Sequence, residues 1–138
     1  MNRLIELYKS TFSAEPSACV QLTGSASNRK YYRLSGEAGP CIGVVGVDPL
    51  ENKAFLTIAR HFHGKGINVP RIIAVSEDES AYLQEDLGDV ILFDLLTAAR
   101  KLGDGMNEVE DLLCRTMAML PKIQCEGASG LDFSVCYP

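Results

Sequence analysis

The chain has 138 residues, enough for one domain with a core of its own; nearly half are apolar, and charges of both signs are spread along it. That composition argues against a disordered segment. The net charge of −5, with no basic cluster beyond Arg29-Lys30 and Arg33, argues against a nucleic-acid surface built on counterion release, so a phosphate site would need backbone N–H groups and one or two local cations.

The first apolar residues, Leu4, Ile5, Tyr8 and Phe12, fall at i, i+1, i+4 and i+8 and predict a short helix packed on one side. Pro16 breaks the pattern. Residues 18–22 and 29–34 read as strands joined by the turn 23–28, and a second turn, 35–40, leads into the nearly continuous apolar run 41–47. Three strands with short turns predict an antiparallel meander. Asp48-Pro49 supplies an N-cap and a first-position proline for a helix over about 50–63, with Gly64-Lys65-Gly66 as its stop.

Residues 71–75 and 81–85 predict a second hairpin around the turn 77–80. Asp86-Leu87-Gly88-Asp89 is a connector, followed by helices over about 91–102 and 107–120, separated by Gly103-Asp104-Gly105. Pro121 should end or kink the last helix. Residues 126–130 read as a loop, and 131–138 show no period.

Cys19, Cys41, Cys114, Cys125 and Cys136 lack CxxC spacing, so neither a zinc site nor a paired disulfide framework is expected, and reduced cytoplasmic thiols are the simpler reading. No long apolar run opens the chain, which argues against a signal peptide or a membrane span. His61 and His63, two apart on a helix, point about 200° away from each other and cannot share one metal. Met117 and Met119 belong to a helix core.

The order helix, three strands, helix, two strands, connector, two helices resembles the N-terminal lobe and hinge of a kinase. Within that group, Gly24 to Arg33 is similar to the strand-loop-strand signature of the family of aminoglycoside phosphotransferases, choline kinases and amino-sugar kinases. Asn68 to Ala74 resembles that family's entry into its fourth strand, and Tyr82-Leu83-Gln84-Glu85-Asp86-Leu87-Gly88-Asp89 its fifth strand and hinge. The kinases of N-acetylmuramate and N-acetylglucosamine are the most similar branch. The resemblance implies an α+β fold, a five-stranded antiparallel sheet with a packed helix, with an ATP-binding lobe over residues 1–88 and a truncated helical start of a second lobe over 89–138.

A triphosphate needs N–H donors close to its oxygens, and small residues let the backbone approach. Gly24, Ser25, Ala26 and Ser27 supply them, with Asn28 and Arg29 at the turn's end; by themselves these residues are equally an ordinary hairpin turn with a basic edge. The resemblance implies that main-chain groups of the connector, at Glu85, Asp86 and Leu87, read the adenine. It also implies a lysine on the third strand oriented by a glutamate on the next helix. Residues 41–47 contain no lysine, and Lys53 lies too late for the role; Glu51 remains as the acid, and Arg29 or Lys30 could stand in, unless this branch binds ATP differently or weakly.

The expected activity is transfer of the ATP γ-phosphoryl group to a hydroxyl of a sugar or aminoglycoside-like acceptor, with Mg²⁺ as the family's metal. The family's catalytic HGD-like loop, the asparagine after it and its metal-binding aspartate have no counterpart before Pro138, so no catalytic or metal-ligating residue is expected in this chain. It is expected to be an inactive fragment that dimerises through an exposed apolar face. The alternative is a free-standing, non-catalytic interaction module.

Overall fold

The computed structural model describes residues 1–23, 28–102 and 106–136, with side chains left out at 102 and 106–108. Among the described residues the fold is α+β, with a five-stranded antiparallel sheet and four α-helices. The residues divide into two units, one of Met1–Asp86 with the C-terminal residues from Asp132, the other of Leu87–Leu131.

In the first unit, α1 (Asn2–Phe12) precedes β1 (Ala18–Gln21), β2 (Lys30–Ser35) and β3 (Cys41–Val45), which form the expected meander. After α2 (Pro49–Gly64), β4 (Ile72–Val75) and β5 (Ala81–Glu85) complete the sheet in the order β1-β2-β3-β5-β4. Here β5 inserts between β3 and β4, and the return from β3 is made by α2.

Strand alternation sorts the side chains onto two faces. On one, Leu4 and Tyr8 of α1 pack with Tyr32, Leu34, Cys41, Ala81 and Leu83. On the other, Leu56 of α2 packs with Ile42, Val44 and Tyr82, and Phe55 rests against them. Burying two such clusters supplies the main favourable term for folding.

The start of α2 follows the sequence signals. Asp48 Oδ1 accepts from the amides of Leu50 (2.8 Å) and Glu51 (3.2 Å), and Pro49 sits in the first turn, where its missing N–H costs nothing. Lys65 caps the other end, followed by Gly66 at φ +70°.

The third strand is shorter than the predicted 41–47. Gly46 keeps one further rung with β5, its amide donating to Ser80 O at 3.0 Å, and leaves the strand where its carbonyl accepts from Asn52 Nδ2 at 3.2 Å. Only glycine fits there, since a Cβ would stand 2.0 Å from Asn52 Oδ1. Asn52 is 1% exposed and staples the exit of β3 to α2.

In the second unit, α3 (Leu92–Leu102) is followed by α4 (Met106–Pro121), and a π-helical turn over Lys122–Gly127 continues from α4. The loop expected at 126–130 therefore begins two residues later than the sequence suggests. Pro121 ends the α-helix as expected, because it has no N–H to give. A 3₁₀ turn at Phe133–Val135, capped by Asp132 Oδ1 accepting from the Ser134 amide at 2.9 Å, lies where no period was visible. Among the described residues no helix is long and apolar enough to cross a membrane.

Candidate nucleotide site on the α2 face of the sheet

Of the residues expected to hold a nucleotide, Gly24, Ser25 and Ser27 lie outside the described residues. Asn28 is exposed just before β2. Arg29 is the informative one: it is only 8% exposed although it carries a full charge.

A buried guanidinium requires compensation. Arg29 Nε lies 3.0 Å from Glu51 Oε1, an ion pair by distance, although its N–H is not aimed along a hydrogen bond to that oxygen. Its Nη2 donates to the Glu51 carbonyl at 3.1 Å. The guanidinium carbon also stands 4.6 Å from the centroid of the Phe55 ring, in cation–π range. Phe55 in turn stacks on Tyr82 of β5, with centroids 5.3 Å apart and planes 25° from parallel. Turn, helix and sheet thus meet in the series Glu51, Arg29, Phe55 and Tyr82.

The register places two rows of side chains on this face. One runs Leu22, Tyr31, Val44, Tyr82 and Val75, Leu22 being tied to Tyr31 by its amide, which donates to the Tyr31 carbonyl at 2.9 Å. The other, nearer the connector, runs Val20, Arg33, Ile42, Gln84 and Ile72 from one sheet edge to the other. Val20 leaves 59% of its surface open on the edge strand.

Arg33 spans from this second row to Asp86 at the end of β5. Its Nε donates to Asp86 Oδ2 at 2.6 Å and its Nη2 to Asp86 Oδ1 at 3.1 Å, the two-pronged geometry that a planar guanidinium offers a carboxylate. The Asp86 side chain is 6% exposed.

Glu85 and Leu87 flank that carboxylate in sequence. The Glu85 amide is committed, donating to Arg71 O at 2.9 Å, and its Oε2 accepts from the Arg71 amide at 3.2 Å. The main-chain group that Glu85 could offer a ligand is therefore its carbonyl. Leu87 is exposed and opens the second unit, followed by Gly88 at φ +84°, a conformation that costs a side-chain-bearing residue.

Among the described residues, Tyr82 Oη, Gln84 Oε1 and Asn52 Oδ1 are buried on or beside this face without a hydrogen-bond partner. Burial pushes the Tyr82 phenol up, so its hydroxyl stays neutral and remains a donor. Buried polar atoms are nearly always satisfied, and exceptions point to places where something else binds or moves.

Phe55 also lines an apolar pocket of about 200 Å³ with Ile58, Ala59, Phe62, Val69 and Pro70. A pocket of about 470 Å³ of mixed character lies elsewhere, between α1 and the β4–β5 turn, lined by Arg3, Glu6, Leu7, Ser76 and Asp78 among others.

The resemblance pointed to Glu51 as the acid and left Arg29 or Lys30 as the cation; the structure pairs Glu51 with Arg29. Sequence reading missed Arg33, Gln84, Phe55 and Tyr82 as parts of one site. The available signal was alternation: Arg33 shares strand parity with Tyr31, and Gln84 with Tyr82. Compared with protein-family models, with curated proteins and with solved structures, the chain matches none.

Proposed function

We propose that this chain holds the nucleotide for a small-molecule kinase that transfers the γ-phosphoryl group of ATP to a hydroxyl of a sugar or aminoglycoside-like acceptor. The observation that carries the reading is the Arg29–Glu51 ion pair. Phosphoryl transfer depends on fixed positive charge against the phosphates, and kinases orient that cation with an acid on the helix beside the sheet. Strand β3 has no lysine for this purpose. Arg29, entering β2, brings the cation from the neighbouring strand, and Glu51 in the first turn of α2 supplies the acid.

The arrangement fits a triphosphate in charge and in preparation. Arg29 is held from two sides, by Glu51 and by the Phe55 ring, so little of its freedom is left to lose when an anion arrives. Arg33 and Asp86 fix the end of β5, where the connector's main-chain groups would meet the base. By the resemblance, Mg²⁺ would come bound to the nucleotide's phosphates. The acids that orient the acceptor hydroxyl belong, by the resemblance, to a part with no counterpart in these residues. The role assigned to this chain is binding, with no turnover by itself.

Titration of the chain with a fluorescent ATP analogue tests the reading, comparing Arg29→Lys and Arg29→Met with the parent. The expected result is saturable binding that weakens about tenfold or more in Arg29→Met and partly recovers in Arg29→Lys. Binding indifferent to Arg29 removes the proposed role of the ion pair. No binding at millimolar nucleotide favours the non-catalytic module.

A further inference from the structure

The nucleotide reading accounts for Arg29 and the connector but leaves Gln84 unexplained. Gln84 is the penultimate residue of β5, between Ile42 of β3 and Ile72 of β4 in the row nearest the connector, and its Oε1 is buried without a donor. An amide oxygen in that state has lost water and gained nothing in exchange. No interior hydrogen bond holds that oxygen, so turning the carboxamide toward a ligand breaks none at Oε1.

The row around Gln84 suits a flat heterocycle. Val20 gives open apolar surface on the edge strand, and the Arg33 side chain, rooted beside it, carries its guanidinium over the buried Ile42 to Asp86, which pins it as a planar cation of the kind that stacks on aromatic rings. A base laid on this row has its edge toward β5, where the Glu85 carbonyl and the Gln84 oxygen are both acceptors. Two acceptors side by side complement a hydrogen-bond donor on the ligand and repel a carbonyl.

We propose that Gln84 selects the base of the bound nucleotide by accepting a hydrogen bond from the amino group at purine position 6, favouring adenine over 6-oxo purines. The inference rests on the nucleotide reading above. It extends that reading by assigning base selection to a side chain, beyond the connector's main chain.

The test compares fluorescent analogues of ATP and ITP, which differ at position 6, on the parent chain and on Gln84→Leu and Gln84→Met. The parent should bind the adenine nucleotide about tenfold more tightly or better, and both variants should bring the two within about twofold of each other. Both variants should melt no lower than the parent, because an apolar side chain of similar size removes an unsatisfied buried acceptor. If the parent binds both nucleotides and the variants keep its preference, Gln84 does not read the base and the nucleotide reading stands. A parent that binds ATP and ITP equally also overturns the inference alone. If the parent binds neither nucleotide, both proposals fall.

Discussion

Arg33 and Asp86, 53 residues apart, are joined by a two-pronged ion pair that ties the middle of β2 to the end of β5 across the intervening β3. The backbone ladders already hold both strands to β3, so sheet pairing by itself does not require the contact. What the pair adds is a fixed position for the residue after β5, where the connector begins. A carboxylate exposed by only 6% also makes the pair more consequential than a surface ion pair.

Replacing Asp86 with Asn should therefore cost on the order of 2–4 kcal/mol, because it leaves the Arg33 charge partly buried without its counter-charge. Urea unfolding of D86N against the parent measures this. The double replacement Arg33→Met with Asp86→Leu should recover much of the loss, since the desolvation cost goes with the charges. Additive losses in the double variant would show that the two side chains act separately.

Gly46 is predicted to be intolerant of any side chain. A Cβ there meets the Asn52 carboxamide at 2.0 Å, and that carboxamide holds the Gly46 carbonyl, so Gly46→Ala strains the site and breaks the staple together. A loss of about 2 kcal/mol or more is expected, in the range of over-packed interiors. Gly64, where an added Cβ meets nothing within 4 Å, should accept alanine with a small gain from helix propensity, and comparing the two melting curves separates packing from conformation.

The β4–β5 turn carries a pH-dependent contribution. Asp78 accepts from the Ser80 and Ser76 hydroxyls and the Ser80 amide, with Arg3 nearby, and these contacts hold its carboxyl down to about 2 from an ordinary 3.8. A carboxylate with a depressed folded-state pKa stabilises the fold above its unfolded value and loses that contribution as pH falls through the folded value. Asp78→Asn should thus be less stable than the parent at pH 5 and above, the difference shrinking between about pH 4 and pH 2. A difference that stays constant across that window would assign the effect to something other than the carboxylate's ionisation.

The five thiols should separate by reactivity. Burial, followed by the nearby Asp86 carboxylate and Cys19, pushes the Cys41 thiol up to about 11, so at pH 8 only about one Cys41 in a thousand is thiolate. Cys114 and Cys125 are exposed. An aromatic disulfide reagent at pH 8 should modify Cys114 and Cys125 promptly and Cys41 only after denaturant is added, as read by mass spectrometry of the peptides. Early modification of Cys41 would mean that β3 opens under native conditions.

Much of the sheet was legible because its turns announce themselves: Gly36, Gly39 and Pro40 between β2 and β3, and Asp48-Pro49 at the start of α2, leave short apolar runs with little freedom in their assignment. The early end of β3 was not legible, since Val47 continues the apolar run and the chain turns away where the Gly46 carbonyl takes the Asn52 carboxamide as its partner. The π-helical turn after Pro121 has no local signature either. At the site, local reading could not choose between Arg29 and Lys30 as the cation for Glu51. Glu51 lies 22 positions beyond Arg29, and its approach depends on where α2 docks, a tertiary outcome that propensity and periodicity do not encode.

The coupling of Arg29 to Phe55 gives the last prediction, and it is independent of any ligand. The guanidinium over the ring, the ring on Tyr82 and the carboxylate on the guanidinium form one series, so deleting its middle member should disturb both ends. Phe55→Leu keeps an apolar side chain against Val44 and Tyr82 but removes the π face, while Arg29→Met removes the charge and keeps most of the stem. If the ring attracts the cation, the double variant should be more stable than the sum of the single losses predicts, by about 0.5–2 kcal/mol, the range of partly desolvated cation–π pairs. Glu51→Gln should itself cost about 1–3 kcal/mol, because it leaves the 8% exposed Arg29 guanidinium without its counter-charge, with the Glu51 carbonyl and the Phe55 ring still against it. A coupling near zero between Arg29 and Phe55, with a large loss in Glu51→Gln, would instead place the hold on Arg29 in the ion pair alone.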